Sequence, residues 1–173
     1  VYQRDSDSGE LTEIQTYRDR GIASPTRLAM SDDGLFIYAA SHNGNSVTVF
    51  ARNANGTINE QQYLGDLPQE GLTAPRSART STISPDQNHV YVALTSINDA
   101  VIQHYQRDTI TGELTYSNQI EPDSEYGRFT GLTVSQDGNN LYAAGNEGIV
   151  EIDLDDTGAM TVNRATPLDN PDS

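Results

Sequence analysis

The sequence has no cysteine, no tryptophan and no lysine; all ten of its basic residues are arginine, set against 25 aspartate and glutamate residues. Without cysteine there is no disulfide cross-link, no thiolate nucleophile and no cysteine-ligated zinc. A formal charge of −15 argues against a surface built for nucleic acid or anionic lipid, because both need clustered Lys and Arg to displace counterions. No apolar run reaches the roughly 20 residues needed to cross a bilayer as a helix. The opening Val1-Tyr2-Gln3-Arg4-Asp5 lacks the pattern of a signal peptide. The 173 residues therefore read as an acidic chain of about one domain's length, with no nucleic-acid partner, no membrane insertion and no cofactor. Abundant Asp without Lys suits a salty medium, where hydrated carboxylates keep a surface dispersed. An exported bacterial protein, periplasmic or extracellular, fits this composition, and the cytoplasm of a salt-adapted cell is the alternative.

Stretches of helical period are missing too, and a repeat fills the chain instead. Ser31-Asp32-Asp33-Gly34-Leu35-Phe36-Ile37-Tyr38-Ala39-Ala40 aligns with Ser84-Pro85-Asp86-Gln87-Asn88-His89-Val90-Tyr91-Val92-Ala93 and with Ser135-Gln136-Asp137-Gly138-Asn139-Asn140-Leu141-Tyr142-Ala143-Ala144. The leading serines stand 53 and 51 residues apart. A second element recurs four times: Tyr2-Gln3-Arg4-Asp5 before Gly9, Phe50-Ala51-Arg52-Asn53 before Gly56, Tyr105-Gln106-Arg107-Asp108 before Gly112, and Asp153-Leu154-Asp155 before Gly158. Each is a β-rich run, a glycine turn and a second run, the signature of a hairpin.

One unit then reads as four strands: Thr26–Met30, Phe36–Ser41, Val47–Arg52 and Ile58–Leu64, separated by turns at Ser31–Gly34 and His42–Asn45. Four short strands per unit of about 52 residues describe a β-propeller blade. The expected fold is all-β, built of four-stranded antiparallel propeller blades: a half-blade over 1–17, whole blades over 23–64, 75–120 and 127–166, and a tail over 167–173. Closed propellers need at least about four blades. The expectation is therefore a partial propeller belonging to a larger protein, with two copies joined through their open ends as the alternative.

Ser84-Pro85-Asp86 followed by Val90-Tyr91-Val92-Ala93, and the hairpin from Asp108 through Thr115, resemble the lactonase-type seven-bladed β-propellers, which include 6-phosphogluconolactonase-like proteins, and the similar YVTN-type bacterial propeller repeats. The resemblance runs along essentially the whole chain. It implies a propeller architecture more strongly than an activity, since these are structural positions of a blade. Lactonase-type enzymes are expected to place His, Arg and acidic residues in the channel. Here the inner-strand entries Pro25-Thr26-Arg27, Pro75-Arg76-Ser77-Ala78-Arg79 and Gly127-Arg128-Phe129 hold no His. The three histidines fall elsewhere: His42 in a turn, His89 before a buried strand and His104 on a third strand.

The innermost strand of each blade lines the channel of a propeller. Counting back from the turn serine, Arg27, Thr80 and Gly131 stand four residues before it, and Thr26, Arg79 and Thr130 five before it. With Arg76 and Arg128 at the entries, four arginines gather at the channel mouth: Arg27, Arg76, Arg79 and Arg128. They are candidates to grip a small anionic ligand such as a sugar acid; alternatively they pair within the channel wall. The reading that follows is a non-catalytic scaffold or binding segment, its partner a protein or small anion on the channel face. The alternative is part of a lactonase-like hydrolase acting on a sugar-acid lactone.

Two acidic turns, Asp5–Glu10 and Asp153–Gly158, offer alternating carboxylates of the kind that bind calcium, but neither completes an EF-hand loop. Asn55-Gly56-Thr57 matches a glycosylation sequon and also supplies Asn-Gly, the preferred dipeptide of a type I′ hairpin. Tyr38, Tyr91 and Tyr142 recur once per blade and read as core.

Overall fold

Each whole unit of the repeat starts on a serine whose hydroxyl closes a turn. Ser31 Oγ donates to Asp33 at 2.6 Å and accepts from the Phe36 amide at 3.0 Å. Ser84 does the same with Asp86 and His89, and Ser135 with Asp137 and Asn140. The aspartate in turn accepts from the amide two residues on, that of Leu35, Asn88 or Asn139. This small network reverses the chain between the first and second strands of a blade without help from the rest of the molecule.

The computed structural model describes residues 1–18, 22–65, 67, 77–96, 100–122 and 128–167, which hold fourteen β-strands. A two-stranded hairpin, β1 (Tyr2–Arg4) with β2 (Leu11–Glu13), comes first. Three four-stranded antiparallel sheets follow, each with its strands in chain order. They are β3 (Pro25–Met30) to β6 (Ile58–Leu64) with β4 (Phe36–Ser41) and β5 (Ser46–Arg52) between, then β7 (Ser77–Ile83), β8 (His89–Thr95), β9 (Ala100–Arg107) and β10 (Leu114–Ile120). The last sheet is β11 (Phe129–Val134), β12 (Asn140–Gly145), β13 (Gly148–Leu154) and β14 (Met160–Pro167). The architecture is a partial β-propeller. Among the described residues no helix is long and apolar enough to cross a membrane.

A single blade has no interior, so its apolar side chains must be covered by its neighbours. Tyr38, Val47 and Val49 of the first whole sheet form one cluster with Ala78, Val90, Val92 and Leu94 of the second. Tyr91, Ala93 and Ile102 of the second form another with Phe129, Leu141, Val150 and Ile152 of the third. Burying each Val, Leu, Ile or Phe is worth about 1.5–3 kcal/mol. Strands β3, β7 and β11 pack side by side as the inner wall. The polar strands β6, β10 and β14 form the outer edges, as their composition demands.

Hairpin turns lock adjacent blades. The Tyr38 hydroxyl donates across the junction to the Gly112 carbonyl at 3.0 Å, and the Tyr91 hydroxyl to the Gly158 carbonyl at 3.3 Å. Gln62 adds a two-point amide clamp, donating to the Leu114 carbonyl at 3.0 Å and accepting from the Leu114 amide at 2.7 Å. Gln15 clamps Ile58 in the same way. Tyr142 lies at the outer face of the last sheet, where it is half-buried and reaches Glu151 of its own blade. The turn at Gly56 differs from the expected type I′ form. Gly56 takes a φ of +86°, but Asn55 is not among the positive-φ residues, and its side chain accepts from the Thr57 amide and hydroxyl. The glycine, one residue later in the turn, takes the left-handed position instead.

Gly112 has φ +74°, and a Cβ there would collide with the Phe36 ring; Gly138 has φ +81° but open space around it. Gly138→Ala is expected to cost about 1–2 kcal/mol for the left-handed backbone alone, and Gly112→Ala about 1–3 kcal/mol more for overpacking. Urea unfolding of the two variants measures the difference. Stability is also expected to fall on acidification in two stages. Burial, with the charge of His89 and against that of Asp155, lowers His104 from 6.5 to about 4. The unfolded chain therefore takes up a proton that the native state refuses between those values, and stability drops with pH there. Hydroxyl and amide donors hold Asp33, Asp108 and Asp137 below 3.8, so their contribution is present above 3.8 and is lost as pH falls through the folded values. Melting curves against pH test both, with His104→Val expected to flatten the upper stage only.

Candidate functional site

Each inner strand carries a β-bulge at the same place. The ladder slips between Pro25 and Arg27, between Ala78 and Thr80, and between Phe129 and Gly131, leaving Thr26, Arg79 and Thr130 as the extra residues. These are the three residues five before the turn serine. A bulge re-aims the side chains around it, and the candidate arginines are separated by it. Arg27 is exposed on the inner strand and lines a channel-side cavity of about 520 Å³. Arg79, on the bulge itself, is half-buried and donates through Nε to Thr95 Oγ1 at 3.2 Å. Its carbonyl accepts from the Thr26 hydroxyl of the preceding blade at 2.8 Å. Arg128 is exposed outside the lining of that cavity, its amide capped by Asn146 Oδ1 at 2.9 Å. Arg76 lies outside the described residues. Of the three candidate arginines among the described residues, Arg27 alone lines the cavity.

The cavity runs along β3 and β7 to their turns. Its polar lining includes Arg27, Asp32, Thr80, Thr82 and Gln87, and its apolar lining Leu28, Met30, Ile83 and Leu132. Leu28 and Met30 are 63% and 57% exposed. Gln87, held at φ +66°, ties the two turns together by accepting from the Asp32 amide at 3.0 Å. Ser81 also lines the cavity, and its buried hydroxyl has no hydrogen-bond partner. A cation, a carboxylate and hydroxyls around an open space can hold a hydroxylated anion: Arg offers paired N–H donors to a carboxylate, and the remaining groups exchange hydrogen bonds with hydroxyls. Asp32 appeared in the sequence only as part of a turn.

The acidic turns are occupied by their own backbone. Asp5 Oδ1 accepts from the amides of Asp7 and Ser8 and from the Ser8 hydroxyl. Asp155 Oδ1 accepts from the amides of Thr157 and Ala159 and from the Thr157 hydroxyl. Among the described residues no three His, Asp or Glu side chains converge in a metal-holding group. The histidines form an arrangement that the sequence did not disclose. His104, fully buried, accepts at Nδ1 from Asn118 Nδ2 (3.2 Å), which leaves Nε2 to donate to His89 Nδ1 (2.9 Å). His89 Nε2 then faces Asp86 Oδ2 at 3.7 Å. The register pairs Tyr91 with His104 across β8 and β9, so the signal was a second histidine fifteen residues downstream on the adjoining strand.

Residues 1–81 match the model of the family described as lactonase, seven-bladed β-propeller. No curated protein matches the chain. Among solved structures, the chain superposes on the periplasmic gluconolactonase of Pseudomonas aeruginosa with a TM-score of 0.72 at 21% identity, covering 84% of this chain and 41% of that one. It superposes on a 6-phosphogluconolactonase candidate from Bacteroides uniformis with a TM-score of 0.78 at 20% identity, over 97% of this chain and 51% of that one. A second such candidate, from Bacteroides fragilis, gives 0.76 at 18% identity, over 97% and 48%. The chain thus spans about half the length of these structures or less. The match over residues 1–81 makes that part of the chain similar to the lactonase-type β-propellers, and the superpositions show that the same propeller fold continues through to β14.

Proposed function

We propose that these blades form part of a channel wall that binds a small hydroxylated anion of the sugar-acid class, the chain serving as a binding segment rather than a complete catalyst. The observation that carries this reading is the cavity of about 520 Å³ around Arg27, within the range of about 300–1,000 Å³ typical of small-molecule sites. In a chain of net charge −15, a cation facing an open, hydroxyl-lined space is the group best suited to an anionic ligand.

Lactone hydrolysis is the second reading, favoured by Asp32 lining the same cavity and by the gluconolactonase names of the structural neighbours. In that reaction the Asp32 carboxylate takes a proton from water as the water oxygen bonds to the lactone carbonyl carbon, and Arg27 faces the oxygen on which negative charge develops. The proton then passes to the ring oxygen as its bond to that carbon breaks, releasing the open hydroxy acid.

Calorimetry with gluconate at low ionic strength tests the binding reading. Arg27→Leu is expected to weaken binding about tenfold, the loss of one charge-assisted contact, with little change in melting temperature because Arg27 is exposed. Arg79→Leu is expected to do the reverse, keeping affinity and losing about 1 kcal/mol of stability with the Thr95 hydrogen bond. Unchanged gluconate affinity in Arg27→Leu would sink the reading. Turnover of gluconolactone above its spontaneous rate, abolished by Asp32→Asn, would favour the hydrolase.

A further inference from the structure

The hairpin repeat places Arg4, Arg52, Arg107 and Leu154 at one position, and the backbone confirms the equivalence of the last three. The amides of Arg52, Arg107 and Leu154 donate to the carbonyls of Leu35, Asn88 and Asn139 at 2.7, 2.8 and 2.8 Å. At the junction between the first two whole sheets this position supplies a buried cation. Arg107 is 6% exposed. Its Nε donates to the Tyr38 hydroxyl at 2.5 Å and its Nη1 to the Gln87 carbonyl at 2.9 Å. Its guanidinium carbon stands 5.4 Å from the centre of the Phe36 ring and 5.9 Å from that of Tyr38. Its charge adds to the Ser31 hydroxyl in lowering Asp33, and to the Thr111 amide in lowering Asp108.

At the next junction the frame recurs without the cation. Asp86, Tyr91 and Asp155 occupy the places of Asp33, Tyr38 and Asp108, and His89 that of Phe36. Leu154 replaces the arginine and packs into the apolar cluster. A cavity of about 240 Å³ opens there, lined by Asp86, His89, Tyr91, Asp137, Asp155 and Asp156 among others. Burial raises the Tyr91 hydroxyl most, and the carboxylates of Asp86 and Asp155 push it further the same way. At Tyr38 the effect of Asp33 is opposed by Arg107.

We propose that this cavity is a receptor for a guanidinium group supplied from another molecule, which takes the place that Arg107 fills from within the chain at the neighbouring junction. Two independent observations meet here: an open space rimmed by carboxylates, and a homologous frame in the same molecule already holding a guanidinium. A planar cation needs an acceptor at its edge and an aromatic wall. Asp86 and Asp155 line the cavity as acceptors, and His89, in the place of Phe36, lines it together with Tyr91, whose ring is stacked on His104. A metal ion would need several converging ligands, and among the described residues no such group exists. The inference does not depend on the channel reading.

The chain has three histidines. Two of them, His89 and His104, border this junction, while His42 follows β4 at the far end of an earlier blade. Imidazole NMR signals therefore read the site with an internal control. Ethylguanidinium is expected to shift His89 and His104 saturably and leave His42 unmoved, whereas neutral ethylurea moves none. Asp86→Asn is expected to weaken binding about tenfold. Leu154→Arg is expected to abolish it by filling the cavity, with circular dichroism confirming that both variants fold. N-acetylarginine amide binding as tightly as ethylguanidinium would assign the site to an arginine side chain of a partner; binding of ethylguanidinium alone would assign it to a small free guanidine. No saturable shift, equal shifts with ethylurea, or binding untouched by Leu154→Arg would each overturn the proposal.

Discussion

The contact on which the fold depends is the docking of one blade's hairpin glycine onto the previous blade's tyrosine. A four-stranded sheet with both faces exposed cannot hold itself together, so each blade borrows its core from the next. The hydroxyls of Tyr38 and Tyr91 reach the carbonyls of Gly112 and Gly158, and the rings beneath them seal the apolar clusters. Glycine is required because the turn takes a left-handed backbone and because any side chain would strike the ring below, Phe36 under Gly112 or His89 under Gly158. One contact thus fixes the repeat length, the side-by-side placement of β3, β7 and β11, and with it the channel wall. Stability in such an array is a chain of nearest-neighbour terms.

The two junctions between whole sheets solve the same packing problem with different chemistry. The first uses Phe36, Val49 and Arg107 with the Gln62 clamp; the second uses His89, His104 and Leu154, with Asn118 in the place of the glutamine. These exchanges are coupled. Asn118 turns inward to satisfy the buried His104, and His104 in turn donates to His89. A buried polar group left without a partner costs about 1–3 kcal/mol, so replacing one member of this row without the others is penalised. The histidine row solves the hydrogen-bonding of the second junction, yet brings no permanent charge to balance Asp86 and Asp155, which Arg107 does for Asp33 and Asp108.

The strands were legible in the sequence because the repeat superposes three independent copies of each, so that Phe36–Ser41 and Ile58–Leu64 emerge with the bounds that the structure gives. The acidic turns were legible for the same reason, as their serine, aspartate and glycine act locally. What the repeat concealed is anything that depends on side-chain direction. Counting residues from the turn serine put Arg27 and Arg79 on one wall, but the bulge at Arg79 takes it out of the ladder and gives it to Thr95. Arg107 looked like an ordinary hairpin residue, since nothing local marks it as buried; its burial comes from Phe36 and Tyr38, some 70 residues earlier. The departure of Leu154 from the arginine pattern was visible, but it acquires meaning only when the neighbouring blade is seen to hold a guanidinium.

The charge distribution links these features. The turn carboxylates are held low by their own amides and hydroxyls, so the acidic shell stays fully ionised at neutral pH and repels anions at long range. That repulsion decays over a Debye length of about 8–10 Å at ordinary ionic strength. An anion in the channel would therefore meet the field of the shell only on approach, and the short-range donors of Arg27 once inside. For a cation the order is reversed: the shell draws it in, and an uncompensated pair such as Asp86 and Asp155 gives it a place to stop. On the proposed readings, the same acidic surface would screen weakly held anions from the channel and draw cations to the blade junction, so the two cavities would take ligands of opposite charge.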